Sequence, residues 1–205
     1  MYRCLQVWLP HLTRYVATRH NEHNDNGIKF FGPDGYKLSD SVELEIEALV
    51  SKGIGYVSPE DIGRAKRIDD GRYRYIERVK SSFPNQMRLD GLKVVIDCAN
   101  GAGYKAAPEV LWELGAEVIP VGVSPDGRNI NLECGSTSPT VAAETVVAHG
   151  ADVAICLDGD ADRVLIIDEY GRPIDGDQFL GMIGSRWFKN GNLVENTLVS
   201  TVMSN

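Results

Sequence analysis

From Leu92 to Asp168 the sequence alternates short apolar runs with helix-patterned segments, and this alternation narrows the possible fold more than any other feature. Leu92–Asp97, Ala116–Gly122, Val153–Leu157 and Arg163–Asp168 are strand-length runs rich in Val, Ile and Leu. Between them, Tyr104–Leu114 is patterned as a helix closed by Gly115. A second helix follows Ser138-Pro139, with serine as N-cap and proline at the first helical position, and ends at Gly150. Buried-type strands joined through helices by short links predict an α/β fold, with mixed, mostly parallel sheets and packed helices. A further helix over Gln178–Phe188 and a strand over Thr197–Val202 continue the pattern.

Asp90-Gly91 marks a change of grammar. Before it, residues 1–19 resolve into no element. Phe30-Phe31-Gly32-Pro33-Asp34-Gly35 ends an apolar run in a turn. A helix is expected from Asp40, with Glu43 as a capping-box-like partner. Val42, Ile46, Leu49 and Val50 form its apolar stripe, and Gly53 its C-cap. Residues 59–82 read as a charged helical region opening at Pro59.

Composition excludes several classes. The chain is 43% hydrophobic over 205 residues, enough for one or two cores. Its net charge of −8 argues against a broad nucleic-acid or anionic-membrane surface, so neither is expected as a partner. No apolar stretch approaches the roughly 20 residues of a membrane span. The four cysteines show no Cys-x-x-Cys spacing, which points to a reduced, cytoplasmic protein. Cys98 and Cys156, at the ends of apolar runs, are expected to be small buried hydrophobes.

The strongest chemical signal is Asp158-Gly159-Asp160-Ala161-Asp162-Arg163. Three carboxylates alternate with small residues between two apolar strands. Small spacers let the backbone curl until the carboxylates converge, and converging carboxylates call for a cation. An all-oxygen set favours a hard ion, magnesium or calcium. Arg163 beside the acidic cluster makes sense if an anion such as a phosphate also enters. An EF-hand loop is a rival, because Asp158, Asp160, Asp162 and Glu169 fall at its positions 1, 3, 5 and 12. But Arg163 stands where that loop needs glycine, and the flanks are strands. Gly101-Ala102-Gly103-Tyr104-Lys105-Ala106 fits the dinucleotide fingerprint, yet no acidic partner stands at a strand end about 20 residues on; packing of strand against helix is the better use of these glycines. Asp175-Gly176-Asp177 reads as a helix N-cap rather than a second ion loop.

Several motifs in order resemble the phosphohexose mutases. Beyond the acidic loop they are His20-Asn21, Asn26-Gly27-Ile28-Lys29, Cys98-Ala99-Asn100-Gly101-Ala102-Gly103, Asn129-Ile130-Asn131 and Cys134-Gly135-Ser136-Thr137. The last two are similar to the branch that acts on glucosamine phosphates. The resemblance implies interconversion of glucosamine 6-phosphate and glucosamine 1-phosphate through a phosphoserine and Mg2+, with phosphomannomutase or phosphoglucomutase activity as the alternative. It implies Asp158, Asp160 and Asp162 as magnesium ligands, Arg163 and Asn21 as phosphate contacts, and His20 and Lys29 as catalytic groups. It also implies a partial multi-domain arrangement: residues 1–83 a remnant of the phosphoserine domain, with 1–19 unlike the family; 84–172 the magnesium-loop domain; and 173–205 the start of a sugar-binding domain.

One departure is chemical. Arg19 occupies the position of the phosphoserine, and arginine has no nucleophilic oxygen to carry a phosphoryl group. The sugar-recognition and phosphate-binding motifs expected further on are not in the chain. Together these predict a chain that does not turn over alone, with a non-catalytic metal-binding fragment as a second reading. The onset of resemblance at His20 suggests an out-of-frame start joined there, which reading the upstream coding DNA for Ser-Ala-Ser codons tests.

Overall fold

The computed structural model describes residues 13–18, 26–32, 34–52, 58–62, 69–202 and 204. Arg19, His20, Asn21 and the proposed cap Gly53 lie outside the described residues. The described residues divide into two compact units, those up to Asn85 in one and those from Gln86 onward in the other.

In the first unit, β1 (Thr13–Thr18) and β2 (Asn26–Phe31) pair antiparallel, with Thr13 opposite Phe31 and Tyr15 opposite Lys29. Part of the stretch that shows no pattern in sequence is therefore a strand. Its signal is non-local: the ladder to β2 supplies the order that its own residues do not display. Beyond β2 the chain turns through Gly35 (φ 77°), where Asp34 Oδ1 accepts from the Tyr36 N–H at 3.0 Å. Helix α1 spans Asp40–Lys52. Its first turn differs from the expected capping box, since Glu43 Oε2 accepts from Lys37 Nζ at 3.0 Å and the Glu43 N–H bonds the Ser39 carbonyl. The charged region 59–82 is not one helix. It holds a 3-10 turn at Pro59–Asp61 and helix α2 at Gly71–Lys80, which buries Ile76.

The second unit carries a five-stranded sheet in the order β4-β3-β5-β6-β7. The strands are β3 (Lys93–Asp97), β4 (Glu117–Val121), β5 (Val153–Leu157), β6 (Val164–Asp168) and β7 (Pro173–Ile174). β3 runs parallel to β4 and β5, whereas β6 pairs antiparallel with β5 and with β7. The sheet is thus mixed around a parallel centre. The antiparallel pairs follow from chain length: only a short loop joins β5 to β6, too little for a crossover.

Helix α3 (Ala106–Glu113) packs on β4, and α4 (Thr140–His149) packs on β3, β5 and β6. The core beneath α4 joins Ala142 and Val146 to Val95, Ala154, Cys156 and Ile167. These strand residues are register neighbours, Val95 opposite Ala154 and Ala154 opposite Ile167, so period-two alternation delivers them to one face. Pro139 sits at the cap position of α4, one residue earlier in the helix than expected. At the other end Gly150 closes α4 in the left-handed region (φ 58°). The last helix, α5 (Gly176–Lys189), has the expected cap at Asp175 and a full capping box with Gln178.

Thr197–Val202 is not a strand. A 3-10 turn at Val194–Asn196 precedes it, and Val199 and Val202 are exposed. Among the described residues no neighbouring strand offers it a ladder, and an apolar run needs one to become a strand.

Candidate metal centre

β5 delivers the site. Its last residue, Leu157, leads directly into Asp158, which is fully buried. A buried carboxylate must find donors. Asp158 Oδ1 accepts from the N–H groups of Asp162 (3.1 Å) and Arg163 (3.0 Å), and Oδ2 accepts from Arg163 Nε at 3.1 Å. The Ala161 N–H closes back on the Asp158 carbonyl at 2.9 Å, with Ala161 itself at φ 58°. The loop therefore curls around its own first carboxylate. One oxygen each from Asp158, Asp160 and Asp162 comes within 4.8 Å of the others. A hard cation holding oxygens at about 2.0–2.6 Å keeps them no more than about 5 Å apart, so the donor set fits such an ion in both chemistry and spread. Asp160 is nearly buried and Asp162 exposed, which leaves one side of the cluster open to solvent.

The loop lies at the carboxyl ends of the parallel strands, where the connection after β3 leads towards β4 and the one after β5 leads the opposite way. In open α/β sheets that crevice is where ligands bind. Three loops are packed together there. The Ala102 N–H donates to the Gly159 carbonyl at 2.8 Å, and the Ser136 N–H to the Leu157 carbonyl at 2.9 Å. A Cβ at Gly159 would stand 2.7 Å from Asn131 Nδ2 and 2.8 Å from Ile130 Cδ1. Gly101 abuts Gly159, so the glycine motif after β3 buttresses the acidic loop as well as opening α3.

The four residues Asp158, Asp160, Asp162 and Arg163 are thus brought together. Arg163 pairs with Asp158 while its own side chain stays about half exposed (48%), which leaves guanidinium surface facing solvent. Lys29 lies in β2, in the other unit, opposite Tyr15. Sequence reasoning gave Asp97 no role, and it quoted Asn131 only as part of the Asn129-Ile130-Asn131 motif. Asp97 closes β3 and is fully buried, accepting from the Ala99 N–H (2.9 Å) and the Gly135 N–H (2.7 Å). Its only sequence signal is an acidic residue ending an otherwise apolar run. Three free, buried cysteines gather near it. Burial, and secondarily the Asp97 charge, pushes Cys98 and Cys156 up to about 12 and Cys134 up to about 11.

The sheet and the loop define an α/β domain that presents a carboxylate cluster at its switch point. Residues 73–171 match the family model for phosphoglucomutase/phosphomannomutase, alpha/beta/alpha domain II, and residues 15–56 match that for domain I of the same proteins. The domain I match opens at Tyr15, five residues before His20, where the recognised motifs begin. The chain is 68% identical over 190 residues to phosphoglucosamine mutases of Roseobacter denitrificans and of Ruegeria sp. strain TM1040, and 60% identical to that of Ruegeria pomeroyi. Each match covers 93% of this chain and 42% of the relative, so the chain spans less than half the length of these curated relatives. Among solved structures, a phosphoglucomutase/phosphomannomutase family protein of Burkholderia thailandensis superimposes with a TM-score of 0.68 at 20% identity, covering 93% of this chain and 42% of that one. An Aspergillus fumigatus N-acetylphosphoglucosamine mutase gives 0.53 at 20% identity, covering 93% and 51%. The chain belongs to the phosphoglucomutase/phosphomannomutase family.

No helix among the described residues is long and apolar enough to cross a membrane.

Proposed function

We propose that this chain carries the magnesium-loop half of a phosphoglucosamine mutase, the activity that interconverts glucosamine 6-phosphate and glucosamine 1-phosphate. The convergence of three carboxylate oxygens within 4.8 Å at the sheet's switch point carries this reading. The identity of 60–68% to curated phosphoglucosamine mutases supports the choice of a hexosamine phosphate over other sugar phosphates. In this reading Asp158, Asp160 and Asp162 hold magnesium, which neutralises phosphoryl oxygens during transfer. Arg163 turns its solvent-facing guanidinium to a substrate phosphate, with Asn21 as a second contact. Lys29 and His20 are the catalytic groups of this reading, which move the proton of the accepting hydroxyl. Residues 1–83, 84–172 and 173–205 correspond to a phosphoserine domain, a magnesium-loop domain and the opening of a sugar-binding domain. The free cysteines are consistent with a cytoplasmic setting.

Arg19 favours a second reading for this particular chain, a metal-binding polypeptide that cannot accept the phosphoryl group. Intact-mass measurement after incubation with magnesium and glucosamine 1,6-bisphosphate separates the two. Gain of one phosphoryl group by an Arg19→Ser chain, and none by the chain as it stands, supports a mutase half-site whose missing element is the serine. Gain by both removes Arg19 as the lesion. Gain by neither shows that this length of chain does not take up a phosphoryl group even with the serine restored, and favours the metal-binding reading for it.

A further inference from the structure

We propose that Asp97 is the positioning residue of the carboxylate loop, setting where Asp158 sits by acting through the segment 134–136. The proposal rests on the metal reading above and assigns a residue that itself stands outside the cluster.

Asp97 ends β3 two residues after the core residue Val95, opposite Cys156 in the β5 register and close enough to Cys98 and Cys134 for its charge to act on both thiols. A carboxylate there is costly to desolvate, and it raises the thiols around it. An apolar side chain would pack without either cost. What the charge supplies is two short bonds to backbone donors of two different loops, Ala99 and Gly135. Both lead on to the ion loop. The Gly135 N–H fixes the segment whose next amide, Ser136, bonds the Leu157 carbonyl at 2.9 Å, immediately before Asp158. Gly135 is wedged against that same carbonyl, since a Cβ on it would stand 2.5 Å away. On the other route, the Ala99 carbonyl accepts from the Asn131 N–H at 2.9 Å, and the Asn131 amide walls Gly159, immediately after Asp158. One buried carboxylate thus braces the residues on both sides of Asp158. Outer partners of this kind set metal affinity by about 10–100-fold.

Binding of Mn2+, followed by electron paramagnetic resonance of the free ion, tests this on the full chain, with Asp97→Asn and Asp158→Asn beside it. The amide of Asp97→Asn keeps the shape but turns an N–H2 towards one of the two backbone donors. The expected result is binding by the unsubstituted chain, near-complete loss in Asp158→Asn, and about tenfold weaker binding in Asp97→Asn well below its melting temperature, where a loss of global stability alone would not change affinity. Affinity within twofold of the unsubstituted chain in Asp97→Asn overturns the proposal while leaving the metal reading intact. No binding by the unsubstituted chain overturns both. If Asp97→Asn does not melt cooperatively, hydrogen exchange of the unsubstituted chain decides. Mn2+ is expected to slow exchange at Gly135 and Ser136 together with Asp162 and Arg163, and protection confined to 158–163 refutes the coupling.

Discussion

Gly101 and Gly159 meet backbone to backbone. A Cβ placed on Gly101 would overlap the Gly159 carbonyl oxygen and stand 2.6 Å from the Gly159 Cα. Neither glycine has a positive φ, so what the pair demands is space rather than conformational freedom. The loop after β3 and the carboxylate loop are consequently one packed body.

Gly101→Ala follows directly from this contact. The obstacle is backbone, which cannot rotate away, so overpacking is expected to cost about 1–3 kcal/mol. In a chain of this size that lowers the melting temperature by about 2–12 °C. Mn2+ affinity should weaken in parallel, because the displaced carbonyl lies between two of the carboxylates. Gly176→Ala is the control: its Cβ has no neighbour within 4 Å, and its melting temperature should not fall. Equal melting of Gly101→Ala and the unsubstituted chain would contradict the packing described.

The buried thiols predict an alkaline limit. Folding raises Cys98 and Cys156 to about 12 and Cys134 to about 11, above the ordinary value of 9.0. The unfolded chain releases these protons first as pH rises. The stability they contribute is therefore intact below about pH 9 and is lost progressively between pH 9 and 12. At pH 8 the three thiols should resist a disulfide reagent in the folded chain and react on unfolding in urea, with peptide mass spectrometry locating the label. Rapid labelling of Cys98 or Cys156 without unfolding would be incompatible with their burial.

Arg163→Ala should separate stability from ligand binding. The guanidinium is half exposed, and Asp158 keeps its two backbone donors without it. A stability loss of about 1 kcal/mol or less is expected, shrinking further in high salt. Phosphate-ester affinity in the presence of magnesium should fall by a larger factor. A loss of several kcal/mol with unchanged phosphate affinity would make Arg163 a purely structural partner of Asp158.

Asp175→Ala removes the side chain that accepts from the Asp177 N–H at 2.8 Å, while the backbone N–H that donates to Gln178 Oε1 stays in place. Loss of such a cap costs about 1 kcal/mol. Urea unfolding should show that decrease, and Asp175→Asn should recover most of it, since asparagine caps nearly as well. Equal loss in both variants would point to the charge at the helix terminus rather than the hydrogen bond.

The parts of the molecule legible in the sequence are those whose signal is local. β3 and β5 announce themselves because a strand buried on both sides reads as an unbroken apolar run, and Gly150 marks the end of α4 because only a left-handed residue closes it there. The carboxylate loop was legible for the same reason, with ligands and spacers confined to six consecutive positions. What stayed hidden depends on partners far along the chain. β1 is a strand only by virtue of β2, and Thr197–Val202 is not one for want of a neighbour. Asp97 reaches a donor 38 residues away, which no window on the sequence contains. Arg19, His20 and Asn21 lie outside the described residues.

The short link between β5 and β6 bears on how this family can change. Leu157 pairs with Val164, and the six residues between them make up the whole ion loop. An inserted residue would meet one of two fates. Absorbed into the loop, it would spread carboxylates that now lie within 4.8 Å. Absorbed into β6, it would turn Ile167 from the core to solvent, since side chains alternate along a strand. Substitution is therefore the route by which this loop can diverge, and insertions and deletions should collect elsewhere on the sheet's rim.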